Sequence, residues 1–404
     1  MAGQLKDVLL VGLGAVGAIY SLILKRSGQA RVTAVARSNY EAVSAKGLHI
    51  KSRKYGELQG WKPDRLFPTV EQALDRPYSY VIVTSKAIPE LVRTPKLLAP
   101  LLSPAYSDKH PQPTYVLMQN GLNVEVDLYN ALKKLRSSQE PSIISTVVWI
   151  GTGMLDSTSV EHNDFACGRP QDRVSLGVYR PSTTTTTNTE AESALLQGFA
   201  DILSAGGSDT TIVTEIQRAK FAKNMWNACL GVTAALAHFP LQAIFRPSHL
   251  EPGASAQHPS ESTAETYTAP QSLPSPSAQV TASISSASPA ISANTIPFLY
   301  DAMTEMSTLG LKLFPPSESD PGLDPDVALK TLTNTSRLNS LPESNHRAST
   351  LVDVENGRPT EVEVILGELV RMGRREGVPM PRIETLYALM LIIQNQLLRE
   401  YSKH

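Results

Sequence analysis

The first half of the chain reads as short apolar runs separated by stretches of helical periodicity. Asp7–Val11 (DVLLV) is a continuous apolar run, the pattern of a central parallel strand covered on both faces. A glycine-rich turn follows, then a helical pattern from Ala15 to about Ser27 that Gly28 stops. Arg31–Ala36 (RVTAVA) predicts a second strand. Tyr80–Thr84, Thr114–Met118 and Ile143–Trp149 are further β-like runs, and Thr210–Val213 is read as a last strand. Strands alternating with helical patterns predict βαβ units and a doubly wound parallel sheet, an α/β fold. From about Thr214 helical periodicity takes over, with candidates at Glu215–Leu236, Ile296–Leu313, Asp324–Thr333, Thr360–Glu376 and Ile383–Leu398. The expectation is therefore an N-terminal α/β domain over residues 1–213 and an all-α C-terminal domain over 214–404. Two stretches are low in complexity. Pro181–Thr189, with five consecutive threonines, is expected to be a surface loop. Glu251–Asn294, rich in Ser, Ala, Pro and Thr, is expected to be a disordered insertion, because it lacks the apolar area that offsets conformational entropy.

Composition narrows the class. Lys and Arg number 37 against 38 Asp and Glu, a formal net charge of −1. That balance argues against a nucleic acid or an anionic membrane as the main partner, since both call for a basic excess. Two cysteines, Cys167 and Cys229, exclude a disulfide scaffold and a multi-cysteine metal site, and the eight histidines form no HExxH. No metal is expected. No apolar run reaches the ~18–20 residues of a transmembrane helix. The apolar N-terminus suits a buried strand and turn better than a signal peptide. A soluble cytoplasmic protein is expected.

The turn after the first strand is Gly12-Leu13-Gly14-Ala15-Val16-Gly17, a GxGxxG motif that follows a predicted strand and opens a predicted helix. In that context Gly12 permits the tight turn, Gly14 lets the backbone approach a pyrophosphate, and Gly17 lets helix pack on strand. The pyrophosphate then meets the positive end of a helix dipole. This makes the N-terminal domain Rossmann-type. An NAD-preferring site places Asp or Glu about 20 residues past the glycines. This chain has Ala36-Arg37-Ser38 at the end of the second strand. Arg37 pairs naturally with a 2′-phosphate and Ser38 donates to it, which predicts NADPH/NADP rather than NADH.

The first helix of the second domain carries the candidate acid. Thr214 and Gln217 have the spacing of a capping box. Phe221, Met225, Ala228 and Val232 fall on one apolar stripe, and Lys223 and Asn227 share the opposite face. A lysine facing a cleft donates a hydrogen bond and then a proton to a carbonyl oxygen as hydride arrives, and its charge stabilises the developing alkoxide. Lys220, one turn earlier, is the rival. Glu361 opens a helix with apolar positions at Val362, Ile365, Leu366 and Leu369, where the helix dipole favours a carboxylate whatever its role.

The chain resembles the ketopantoate reductase (2-dehydropantoate 2-reductase) family. The resemblance rests on an ordered series: the glycine motif, Thr84-Ser85-Lys86-Ala87, Gln119-Asn120-Gly121-Leu122, Lys223-Asn224-Met225-Trp226-Asn227, and Ser349-Thr350-Leu351-Val352-Asp353 followed by Arg358-Pro359-Thr360-Glu361-Val362-Glu363. It implies reduction of 2-dehydropantoate to pantoate by NADPH in pantothenate biosynthesis, with Lys223 as general acid. Glu361 would orient that lysine and contact the cofactor. Asn227 and Ser349 would bind substrate, and Lys86 and Asn120 would lie near the nicotinamide. Asp353 reads as structural, and Trp226 as core or interface. The implied partner is a small 2-oxo acid, and a homodimer is compatible with the sequence. The chain also departs from the family pattern. A second asparagine four residues after the first is Gly231 here, an Asn-Gly on the late helix is Leu366-Gly367, and an Asp after the glutamate is Glu363. Loss of one hydrogen bond to a hydroxyl changes substrate preference by orders of magnitude. The alternatives are therefore a reductase of another oxo acid or carbonyl substrate, or a dinucleotide-binding regulator without turnover.

Overall fold

The structure is a computed structural model and describes residues 5–163, 172–182, 187–253, 275–318 and 320–403. The chain divides into two compact units. One comprises residues 1–164 and 168–220, the other 165–167 and 221–404. The change of unit falls inside the helix Ile216–Trp226, between Lys220 and Phe221.

Among the described residues, the first unit is built on an eleven-stranded sheet. Its centre is β1 (Lys6–Val11), which pairs in parallel with β2 (Ala30–Val35) on one side and β6 (Tyr80–Val83) on the other. β7 (Thr114–Leu117) continues beside β6, and β8 (Ile143–Met154) beside β7, again parallel. Both faces are covered. Val8 and Leu10 join a core with Ile19 and Ile23 of the helix Ala15–Arg26 and with Leu196, Phe199 and Leu203 of the helix Glu190–Ala205. Leu9, Val11, Val81 and Val83, pointing the other way, are also buried. Burial on both faces is why these strands are continuous apolar runs.

Several strands lie outside the sequence expectation, and they make the sheet mixed. β8 outruns its prediction and carries the chain beyond the parallel sheet. Its last residues pair antiparallel with β9 (Ser159–Asn163), which joins β3 (Leu48–Ser52) and β4 (Gly56–Trp61). β10 (Asp172–Val178) lies antiparallel to β8 and parallel to β11 (Asp209–Ile212), while β5 (Arg65–Phe67) extends the far edge beside β2.

The second unit is helical. Ile216–Trp226 runs through a π turn at Asn227–Gly231 into Val232–Ala237. Further helices are Ile296–Leu313, Val327–Asn339, Ser349–Glu355, a π turn at Glu363–Gly367 leading into Glu368–Glu376, and Pro381–Tyr401. Phe221, Met225, Ala228 and Val232 form the buried stripe expected from their spacing. Phe221 packs edge-on against Phe314, and a Cβ on Gly310 would lie 2.6 Å from its ring. Among the described residues, no helix is long and apolar enough to cross a membrane.

The expectation of disorder over 251–294 is corrected in part. Residues 254–274 lie outside the described residues, but Pro276–Thr281 is a helix and Ser277, Thr281 and Ile284 are buried. Small hydroxyl side chains bond main-chain carbonyls there, as in Ser285 Oγ to Phe245 O at 3.1 Å. Of the threonine-rich loop, residues 183–186 are likewise not described; Pro181 and Ser182 are exposed. Thr189, at its end, forms a capping box with Glu192.

Candidate active site

In the sheet unit the predicted cofactor residues follow the carboxyl ends of four parallel strands. The strand order reverses about β1, the topological position at which open α/β sheets bind ligands. Gly12 has φ of +108°, and a Cβ there would sit 2.7 Å from Ser85 N. A Cβ on Gly17 would sit 2.0 Å from Gly12 O and 2.7 Å from Thr84 Oγ1. Turn, helix and the β6 end therefore close on one another, fastened by the Thr84 hydroxyl donating to Gly12 O at 2.5 Å. Gly14 is the opposite case: it is exposed, and a Cβ there would meet nothing within 4 Å. No side chain caps the helix that Ala15 and Val16 begin, and its first turn carries no carboxylate. Open backbone N–H groups at a helix start with room above Gly14 fit a dinucleotide pyrophosphate. Leu13 is buried, and its carbonyl accepts from Asn39 Nδ2 at 2.9 Å, a brace that sequence reasoning missed. Arg37 and Ser38 are exposed after β2, and Lys86 is exposed after β6. Asn120 is half-buried after β7, and its neighbour Gln119 donates to Ser85 O at 2.8 Å, tying two of these loops together.

In the helical unit three segments carrying predicted residues pack together. Lys223 is half-buried and Asn227 is 9% exposed, at the start of the π turn. Asn224 is buried between them and donates to Ile365 O at 2.9 Å, inside the second π turn. π turns interrupt the regular helical ladder and recur at functional sites; here a side chain of one such helix bonds a carbonyl of the other. Glu361 is buried immediately before the first helical residue, Val362, and its main-chain carbonyl receives Ile365 N–H at 3.0 Å. Thr360, just before it, is pinned by Gln394, whose Oε1 accepts from Thr360 N at 2.8 Å and whose Nε2 donates to Thr360 O at 3.1 Å. Ser349 is exposed at the start of its helix. Its neighbours face the Lys223 helix: a Cβ on Gly231 would lie 3.9 Å from Ala348 Cβ and from Thr350 Oγ1, and 3.7 Å from the Trp226 ring. Trp226 is held by a 3.1 Å hydrogen bond from its indole N–H to Thr335. Asp353 is buried, and its carbonyl and carboxylate both hold Arg358, a structural role.

Gly231 has ordinary φ of −62° and space for a Cβ, so no steric demand requires glycine where the family pattern has asparagine. Glu363 accepts from Tyr387 Oη at 2.6 Å and from Arg371 Nη1 at 2.9 Å. Burial and the Glu363 carboxylate push the Tyr387 phenol up to about 12. Cys229 is buried and its thiol is pushed up by burial, so it is inert; Cys167 lies outside the described residues. Among the described residues, no cluster of His, Cys, Asp and Glu could hold a metal ion.

Two expectations for the Ile216–Trp226 helix change. The Thr214–Gln217 capping box gives way to Glu215, whose carboxylate accepts from Gln217 N–H at 2.9 Å and leaves the Gln217 side chain turned toward Glu125. Lys220 is buried in an ion pair with Glu125 at 2.5 Å. Its ammonium is therefore engaged within the sheet unit. No local signal in the sequence reveals this pair, whose members lie 95 residues apart.

The sheet unit is Rossmann-like, and its glycine turn has the shape that admits a dinucleotide. A family model described as Ketopantoate reductase PanE/ApbA matches residues 8–171, and its C-terminal counterpart matches residues 291–394. The chain belongs to the ketopantoate reductase family. It is 24% identical to an uncharacterised protein of Saccharomyces cerevisiae, over 96% of this chain and 94% of that one. It is 22% identical to the meiotically up-regulated gene 72 protein of Schizosaccharomyces pombe, over 95% of this chain but 55% of that one. Among solved structures, 2-dehydropantoate 2-reductase from Methylococcus capsulatus shares the fold with a TM-score of 0.66 at 24% identity, each chain covered to 97%. D-mandelate dehydrogenase in complex with NADH and anilino(oxo)acetate shares it with a TM-score of 0.65 at 15% identity, over 97% of this chain and 99% of that one.

Proposed function

We propose that this chain is an NADPH-dependent reductase of 2-oxo acids, with 2-dehydropantoate as the first candidate substrate and Lys223 as general acid. The observation that supports the reading is the packing, within the helical unit, of the three segments that bear Lys223 and Asn227, Ser349, and Glu361. Bound NADPH supplies the hydride. The exposed Gly14 turn and the helix start behind it receive the pyrophosphate, and Arg37 pairs with the 2′-phosphate. Lys223 donates a hydrogen bond to the keto oxygen, neutralises the charge that develops there, and gives up the proton. Glu361 orients the lysine. Asn227 and Ser349 hold the polar groups of the acid. D-mandelate dehydrogenase, which shares the fold, is seen with NADH; the arginine after β2 and the absence of a carboxylate beside it support NADPH here.

A second reading, the same chemistry on a different 2-oxo acid, is favoured by Gly231. A Cβ at Gly231 would make only ordinary contacts, and the amide of the family pattern is lacking there. The test of the general acid is Lys223→Ala. Its kcat is expected to fall by about 10²–10⁴-fold, the usual range for losing positioned acid–base help. NADPH affinity, held by the glycine turn and Arg37, should change far less. Near-normal turnover by this variant would reject the assignment.

A further inference from the structure

The buried Glu125–Lys220 pair plays no part in the chemistry above. Glu125 is fully buried in the segment between Gly121 and the helix Val126–Leu135. Its Oε1 accepts from Lys220 Nζ at 2.5 Å, from the Ser145 hydroxyl on β8, and from Gln217 Nε2 at 3.5 Å. Its Oε2 has no hydrogen-bond partner. Burial pushes the Glu125 carboxyl up, but the Lys220 ammonium and the Ser145 hydroxyl outweigh it and hold the group below its ordinary value.

Holding a helix against a sheet needs no ion pair, because apolar side chains of similar volume do that at least as well. What the pair adds is direction. Three donors converge on one oxygen, so the Lys220 head has a fixed place and the helix that bears it has a fixed rotational phase. Gln217 lies one turn before Lys220 on the same face, giving the carboxylate two grips on the helix. Lys223 follows three residues later on that helix. The carboxylate is itself referenced to the strand ends. Ser145 belongs to β8, and Glu125 follows the Gln119–Gly121 loop that Gln119 ties to Ser85.

We propose that Glu125 and Lys220 form a positioning device that sets the phase and height of the helix carrying Lys223, so that the buried ion pair serves turnover rather than stability. The proposal rests on Lys223 being the general acid.

The test replaces the pair as Glu125→Leu/Lys220→Met, which removes both charges and strands neither. The thermal midpoint should stay within about 3 °C of the parent, and the Kd for NADPH should be unchanged. At the same time kcat should fall by about tenfold to a hundredfold, the scale on which a ~1 Å misplacement acts. Lys220→Arg, which keeps the charge with a longer and differently shaped head, should lower kcat at unchanged NADPH affinity, and it decides the matter if the double variant does not fold. Parental kcat in the folded variants would overturn the proposal. So would a loss of activity that merely tracks a loss of folded protein or of NADPH binding. Lys223→Ala, run in parallel, separates the two assignments: an active Lys223→Ala removes the general acid itself, whereas an inactive one beside fully active pair variants removes the positioning role alone.

Discussion

The two units carry their candidate residues on different materials. The sheet unit uses backbone: Gly12, Gly14 and Gly17 act by what they lack, and the loops at the ends of β1, β6 and β7 are drawn together by the Thr84 hydroxyl and the Gln119 amide on main-chain carbonyls. The helical unit uses side chains, set on helices whose mutual placement comes from packing and from a few buried amides such as Asn224 and Gln394. A backbone-built site has no slack, because its close approaches are fixed by the chain itself. A side-chain-built site tolerates small changes of volume and depends instead on which polar groups are present. Gly231 can differ from the family pattern without disturbing the fold, while nothing larger than hydrogen fits at Gly17.

The contrast can be broken by experiment. The largest expected effect on stability lies at Lys220, a side-chain contact inside the otherwise backbone-built sheet unit. Lys220→Ala leaves the Glu125 carboxylate buried without its cation and should cost about 3–5 kcal/mol, read as a lowered midpoint of urea unfolding. A loss below about 1 kcal/mol, the range of surface ion pairs, would mean that solvent reaches the pair. Next comes the contrast between glycines. Gly17→Ala drives a methyl to within 2.0 Å of Gly12 O and should cost about 1–3 kcal/mol or more, with a parallel loss of NADPH affinity. Gly231→Ala meets only ordinary contacts and should stay within about 0.5 kcal/mol by the same denaturation measurement. Equal effects at the two positions would erase the distinction drawn here. Cofactor choice is read in turnover rather than in stability. The parent should prefer NADPH over NADH by at least about tenfold in kcat/KM, about 1.4 kcal/mol. Arg37→Ala should remove most of that preference, and unchanged preference in the variant would place the 2′-phosphate elsewhere.

The same contrast explains what could be read from the chain. The glycine turn, β1, β6 and β7 were legible because burial on both faces writes continuous apolar runs, and because a backbone-built site carries its own local signature. β4 (GELQGW) is mostly exposed and has no such run. Asp172 opens β10 as a buried carboxylate, an unpromising strand residue until Lys54 and Tyr55 are seen to bind it. Residues 275–294 misled for a related reason. Their Ser, Thr and Ala content suggests disorder, yet small side chains permit close packing and hydroxyls such as those of Thr281 and Ser285 satisfy nearby carbonyls. In the helical unit the stripe through Phe221, Met225, Ala228 and Val232 was legible from spacing alone. The partners of Lys220, Asn224 and Thr360 were not, since Glu125, Ile365 and Gln394 reach them only through tertiary packing. Lys220 and Lys223 look alike in sequence, and the carboxylate that holds Lys220 lies 95 residues away.

The central claim is that this chain reduces a 2-oxo acid with NADPH. Its most direct test is steady-state NADPH oxidation by the purified full-length chain, offered 2-dehydropantoate beside other branched and aromatic 2-oxo acids. Oxidation should depend on the oxo acid, saturate with it, and yield the 2-hydroxy acid in equal amount. Tight NADPH binding without oxidation in the presence of any member of the panel would contradict it, and would favour a dinucleotide-binding protein without turnover.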